Sequence, residues 1–362
     1  MADTPNTPKR SGWRKAWQIL GRVCLFAFSV TIFIFSLMCM KEGARPLTPW
    51  IRTSLSVDSP ASALGFGWLS ANLALSGSPV AATALAFLDA QVLSPQETFA
   101  MIAGSRLGAA MMVLLVGFLY VLRGKQRDLS LSVGLLSLLV TQTIYPVVLI
   151  VGFFLLSSGW LNTWQMDAVQ EVQSPFQMLF DPMIEGIGNI LPEWALLPLG
   201  FLLVLFALWL FDRVFPNIHL SESGTGMVQH MLYRPLVTFL IGAVVTILTM
   251  SVSVSLGLLV PLSVRGYVRR ENIIPYILGA NITTFVDTLI AAALLMNPTA
   301  VTVVLVQMVS VGVVTLFILL TNYRYYQHRI EQMAEFLGRH RLNLAIYIGV
   351  IFIIPFLLVI LG

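Results

Sequence analysis

Residues 67–110 and 242–285 of this chain align without a gap at a spacing of 175 residues. Gly67 falls on Gly242, Ser76 on Ser251, Ser78 on Ser253 and Gly104 on Gly279. Identity between the two copies is low; what recurs is the placing of glycines and small hydroxyl residues inside apolar stretches. Duplicated apolar halves with interruptions at matching positions are the sequence mark of a secondary transporter.

Composition sets the medium. Hydrophobic residues make up 57% of the chain and charged residues 10%, against about 25% charged in a soluble domain. The expectation is an all-α polytopic membrane protein whose first partner is the lipid bilayer. About 20 apolar residues cross a bilayer as a helix, and the runs predict spans at 17–40, 99–122, 130–157, 192–212, 272–296, 300–322 and 343–361. The net charge of +4 comes from cations between these runs, which orient a membrane protein and give no reason to invoke nucleic acid. Cys24 and Cys39 lie on one predicted helix, about 22 Å apart, too far for a disulfide. His219, His230, His328 and His340 fall in polar segments without metal-ligand spacing, so no metal site is expected. The cationic N-terminus precedes an apolar run too long for a signal peptide and without a small-residue cleavage site, and is read as a tail (1–16) ahead of a retained first span.

Two further apolar segments, 61–93 and 236–264, decide the topology. With the N-terminus in the cytoplasm, the clusters Lys9–Lys15, Arg123–Arg127, Arg265–Arg270 and Arg324–Arg341 all face inward. The outside keeps Lys41, Arg45 and Arg52, and its large loop, 159–191, carries Asp167, Glu171, Asp181 and Glu185 without a Lys or Arg. This positive-inside pattern holds only if 61–93 and 236–264 each enter and leave on one side, as re-entrant hairpins of two half-helices. Read as single tilted spans, they would export the arginine-rich loops. The first repeat (17–158) then begins inside and the second (192–322) outside, so the repeats are inverted. A basic loop, 323–342, and a C-terminal span, 343–362, complete the chain. The membrane expected is the plasma (inner) membrane.

Polar residues in the interruptions are the site candidates. Ser76-Gly77-Ser78-Pro79 reads as a helix start, with a serine hydroxyl as cap and proline in the first turn, which leaves a positive dipole end suited to an anion. Ser251, Ser253 and Ser255 alternate at the equivalent place, as in a broken helix lining a polar cavity. A single membrane serine usually just bonds backbone or packs small against a neighbour; two clusters at equivalent positions point to a site. The second matched element sets Gly104-Ser105-Arg106-Leu107-Gly108 against Gly279-Ala280-Asn281-Ile282-Thr283-Thr284. A buried Arg106 costs at least about 2.5–3.5 kcal/mol at a helix centre and needs a partner. Asp287, six residues after its equivalent Asn281, is the first choice, and Asp89 the second. The pair serves either as a structural tie between repeats or as an anion clamp or proton-coupled pair. Glu97 and Glu271 at span starts suit solvated caps, and 174–188 suits an interfacial helix.

LGANITTFVDTLIAAALL resembles the GANIGTT segment of the sodium/phosphate cotransporter family, and LMCMKEGARPL is similar to its first-span exit. In that family a QSSS motif precedes the GANIG segment in each inverted repeat; the counterparts here are residues 75–78 and 250–253. The resemblance implies phosphate and sodium bound near Ser76, Ser78, Ser251, Ser253, Asn281 and Thr284. Leu75 and Met250 stand where the family has glutamine, and Gly77 and Val252 where it has the middle serine. Substrate binding is thus expected at Ser76, Ser78, Ser251, Ser253, Ser255, Arg106 and Asn281, and coupling-ion binding at Thr283, Thr284 and Asp287. The expected function is sodium-coupled symport of phosphate or a related oxyanion, with no cofactor beyond the sodium ion. A proton-coupled carrier of another solute and a transport-inactive scaffold are the alternatives. With no phosphate-binding loop, dinucleotide fingerprint or nucleophile–base set in the chain, an enzyme is not expected.

Overall fold

Apolar runs of this length leave the backbone no partner but itself, and among the described residues every regular element is a helix. The computed structural model describes residues 10–53, 57–122, 127–159, 175–214, 235–249, 252–264 and 272–362. In chain order the helices are α1 (Arg10–Ala44), α2 (Thr48–Thr53), α3 (Pro60–Ala74), α4 (Ser78–Asp89), α5 (Pro95–Ala109), α6 (Met111–Leu122), α7 (Arg127–Ser158) and α8 (Pro175–Gly188). They continue as α9 (Leu196–Val214), α10 (Pro235–Thr249), α11 (Val252–Val264), α12 (Ile273–Thr283), α13 (Val286–Leu294), α14 (Pro298–Thr321), α15 (Tyr323–Arg339) and α16 (Arg341–Leu361). Seven helical stretches, 20–44, 95–119, 131–158, 193–210, 273–294, 298–321 and 341–361, are long and apolar enough to cross a bilayer. They coincide with the seven predicted spans, and their outward faces carry large apolar side chains such as Phe154, Leu202, Phe317 and Ile353. The chain is an integral membrane protein.

The repeat is written into the packing. α3 and α10 begin at Pro60 and Pro235 and end at Ala74 and Thr249, the same 175-residue offset at both ends. α3 lies against α5, and α10 against α12. A Cβ on Gly67 would strike the Met101 carbonyl, and one on Gly242 the Tyr276 carbonyl. One on Gly104 would strike the Leu64 carbonyl, and one on Gly279 the Phe239 carbonyl. All four contacts map onto one another at that offset. Small residues at such crossings let helix backbones touch, which is how membrane helices gain packing energy.

Both segments singled out in the sequence hold two helices, α3 and α4 in the first and α10 and α11 in the second. α3 and α4 hold 15 and 12 residues, about 22 and 18 Å of helix. They are separated by Leu75, in the left-handed region at φ 52°, then Ser76 and Gly77. The two ends of this segment lie near one end of α1. Asp89 closes α4 with its carboxylate 2.7 Å from Lys41 Nζ. Val57 donates its N–H to the Ile51 carbonyl just ahead of α3, and Arg52 donates to the Val92 carbonyl and pairs with Glu97 at 3.6 Å.

Two expectations change. Residues 323–342, expected as a loop, contain helix α15, held to α7 by the 2.8 Å Thr143–Tyr326 hydroxyl contact; His328 lies on this helix. Glu97, expected as a solvated cap, is buried, and its carboxylate accepts from the Ser94 N–H in a reciprocal capping box. The expected interfacial helix at 174–188 is α8, whose Phe180 and Ile184 pack on Ile34, Met38 and Cys39 of α1. Cys24 and Cys39 are both free thiols, and Glu271 lies outside the described residues.

Candidate functional site

Arg106 is the hub. α5 carries it between Gly104 and Gly108, whose missing side chains let α3 lie against the same turn; a Cβ on Gly108 would be 2.5 Å from the Trp68 carbonyl oxygen. Arg106 itself is buried, at 5% exposure. It reaches into the second repeat, at the break between α12 and α13. Nη1 donates to Thr284 Oγ1 at 3.0 Å and Nη2 to Thr288 Oγ1 at 2.6 Å. The guanidinium carbon sits 4.7 Å from the centroid of the Phe285 ring, a cation–π contact.

The Arg106–Asp287 pair expected from sequence forms, but loosely. Nη2 and Asp287 Oδ1 are 3.5 Å apart, an ion pair rather than a hydrogen bond. Thr288 bridges it: its hydroxyl accepts from Arg106 and donates to Asp287 Oδ1 at 2.9 Å. The Thr288 N–H donates to the same oxygen at 2.6 Å. A hydroxyl has one donor and two acceptor sites, so Thr288 is the one side chain serving both charges. The second candidate partner, Asp89, is taken instead by Lys41 and by Asn297 Nδ2, which donates to it at 2.8 Å.

The break between α3 and α4 meets the same cation. A Cβ on Gly77 would lie 2.8 Å from the Ser105 carbonyl oxygen and 3.3 Å from Arg106 Nη1. α4 therefore starts against Arg106. The expected serine cap is not made: the N-cap is Gly77, with no side-chain hydrogen bond, and Pro79 follows in the first turn. Ser76 and Ser78 are half-buried at this end. The positive dipole end of α4 lies against the hub.

No protein-family model, curated protein or solved structure matches this chain. The reading of the site rests on its own geometry.

The other predicted residues divide. Asn281 is buried beside Thr284 on α12, and its Nδ2 has no hydrogen-bond partner. Thr283 turns away and donates to the Ala243 carbonyl at 3.0 Å, tying α12 to α10. Ser255 is buried in a second brace, accepting from Thr246 at 2.7 Å and lying 3.0 Å from the Tyr276 hydroxyl. Ser251 and the side chain of Ser253 lie outside the described residues.

Three residues were missed. Thr288 was masked by its neighbour; a hydroxyl adjoining a buried carboxylate was the available signal. Gln307 is fully buried in α14 with neither amide atom partnered, and the one carboxamide in that span marked it. Tyr145 is fully buried on α7 with an unpartnered hydroxyl. Leaving such groups without partners costs about 1–3 kcal/mol each. Arg106 Nε and Asp287 Oδ2 are likewise buried without partners. Among the described residues no group of three or more His, Cys, Asp or Glu side chains is placed to hold a metal.

Proposed function

We propose that this protein is a secondary active transporter of a small oxyanion, phosphate or a close relative, symported with sodium across the plasma (inner) membrane. In this reading 61–93 and 236–264 are re-entrant hairpins in two inverted repeats, and the N-terminus is cytoplasmic. The observation that carries it is the meeting of Arg106, from the matched segment of one repeat, with Thr284, Asp287 and Thr288 of the other, against the break at Gly77.

Depth supports the same reading. α5 starts at Pro95, beside the Arg52–Glu97 contact, and Arg106 lies eleven residues further on. That is about 16 Å of helix, near half of a hydrocarbon core about 30 Å thick. Both ends of the first broken segment lie near the C-terminal end of α1, as a hairpin requires. A buried guanidinium, a free helix start and hydroxyl donors make an oxyanion receptor. The carboxylate beside them supports proton coupling as a second reading, since Asp287 Oδ2 is buried and unpartnered.

The test is uptake of labelled phosphate by proteoliposomes with and without an inward sodium gradient. Sodium-driven uptake that falls in an Arg106→Leu variant and in a Ser78→Ala/Ser253→Ala variant is expected. Uptake driven by a proton gradient alone moves the reading to proton coupling. Sealed vesicles of folded protein that accumulate no oxyanion under either gradient refute transport of this class.

A further inference from the structure

The unpartnered atoms around Arg106 specify more than an anion. We infer that the site selects oxyanions that carry a proton of their own, and that Asp287 is the residue that reads that proton. This rests on the oxyanion reading above. Two of the orphaned atoms are donors: Arg106 Nε and Asn281 Nδ2, on residues 5% and 3% exposed. The third, Asp287 Oδ2, is an acceptor and nothing else when ionised, on a residue 8% exposed. Its sister oxygen, Oδ1, is held by the Thr288 N–H and hydroxyl and faces Arg106 at 3.5 Å, so the carboxylate is oriented by its surroundings.

In this inference one oxyanion is drawn to the two donors at the α12–α13 break and meets Oδ2 there. If it bears an acid proton, as phosphate and arsenate do near neutral pH, its O–H donates to Oδ2 and all three atoms are satisfied. If it bears none, as with sulfate, two like charges meet in a buried site without a hydrogen bond between them. Sites built around a buried polar partner discriminate strongly against analogues that lack the matching group, because the partner is then left unpaired. The guanidinium alone offers no such choice, since it accepts any oxyanion.

Binding is measured first on purified wild-type protein in detergent at pH 7 with sodium present, by thermal shift and by competition against labelled phosphate. The probes are phosphate, arsenate, sulfate and monofluorophosphate; the last keeps the phosphorus and the double charge of hydrogen phosphate but has no acid proton at this pH. Phosphate and arsenate are expected to bind at least about 100-fold more tightly than sulfate or monofluorophosphate. Asp287→Asn is expected to narrow that preference at least tenfold, chiefly by admitting the two proton-free anions; Asp287→Ser serves if the amide variant does not purify as a single species. Equal wild-type affinity for phosphate and monofluorophosphate overturns this inference and leaves the transporter reading intact, as does a preference unchanged by loss of the carboxylate. Wild-type protein that binds none of the four overturns the oxyanion reading itself, and this inference with it.

Discussion

Replacing Thr288 with valine removes one hydroxyl of nearly the same volume and should loosen the tie between the repeats. The hydroxyl takes a hydrogen bond from Arg106 at 2.6 Å and gives one to Asp287 at 2.9 Å. Hydrogen bonds to charged groups are worth about 1.5–3 kcal/mol each, so the gross loss is about 3–6 kcal/mol. Part returns, because Arg106 and Asp287 are already within 3.5 Å and can close into direct contact. The net expectation is about 2–3 kcal/mol, using the range for single charge-assisted bonds, or roughly 5 °C or more in thermal midpoint. Thr284→Val removes a single bond of 3.0 Å to the same guanidinium and should cost about half as much. Thr288→Ser keeps the hydroxyl and should restore most of the loss. The assay is thermal unfolding in one detergent at one scan rate, since membrane-protein midpoints depend on rate. A Thr288→Val midpoint within 1 °C of wild type, or a larger loss in Thr284→Val, would refute the bridging role.

Further outcomes follow from the same contacts. Gly67→Val and Gly242→Val drive a side chain into the Met101 and Tyr276 carbonyls and should each cost at least about 1–3 kcal/mol, read as loss of monodisperse protein on size exclusion. Gly312→Ala, with open space around its Cβ position, should be neutral or stabilise by up to about 1 kcal/mol. Gln307→Leu removes an amide buried without partners and should raise the thermal midpoint by a few degrees, about 1–3 kcal/mol, while phosphate uptake falls; unchanged uptake would make Gln307 a packing residue. Lys41→Met strands the Asp89 carboxylate on Asn297 alone. Pairing it with Asp89→Asn should recover about 1–2 kcal/mol in a double-mutant cycle, and strict additivity would deny the coupling.

The frame was legible because hydrophobic length and small-residue spacing are local signals. Seven apolar runs became seven helical stretches, and the matched glycines fell at the crossings where a side chain would not fit. Arg106 was legible for an energetic reason: a cation within an apolar repeat must find a partner, and one acidic residue lay at the right place. What sequence did not give was the geometry between groups. Whether Arg106 meets Asp287 directly or through Thr288 depends on side-chain direction at the α12–α13 break, where helical periodicity is interrupted. Ser255 and Thr283 read as free hydroxyls, yet tertiary neighbours on α10 and α12 engage them. The helix at 323–339 was missed because its charges resemble those of a loop, while Ile330 and Ala334 bury one face.

The glycine crossings recur in both halves, but the charges do not. The residues 175 positions before Thr284, Asp287 and Thr288 are Ala109, Met112 and Val113, and the residue 175 after Arg106 is Asn281. A molecule assembled from two copies of the first half would hold two arginines and none of these three partners. One assembled from two copies of the second would hold two aspartates and no arginine. The halves share their crossings and divide their charges, so neither can stand in for the other as chemistry.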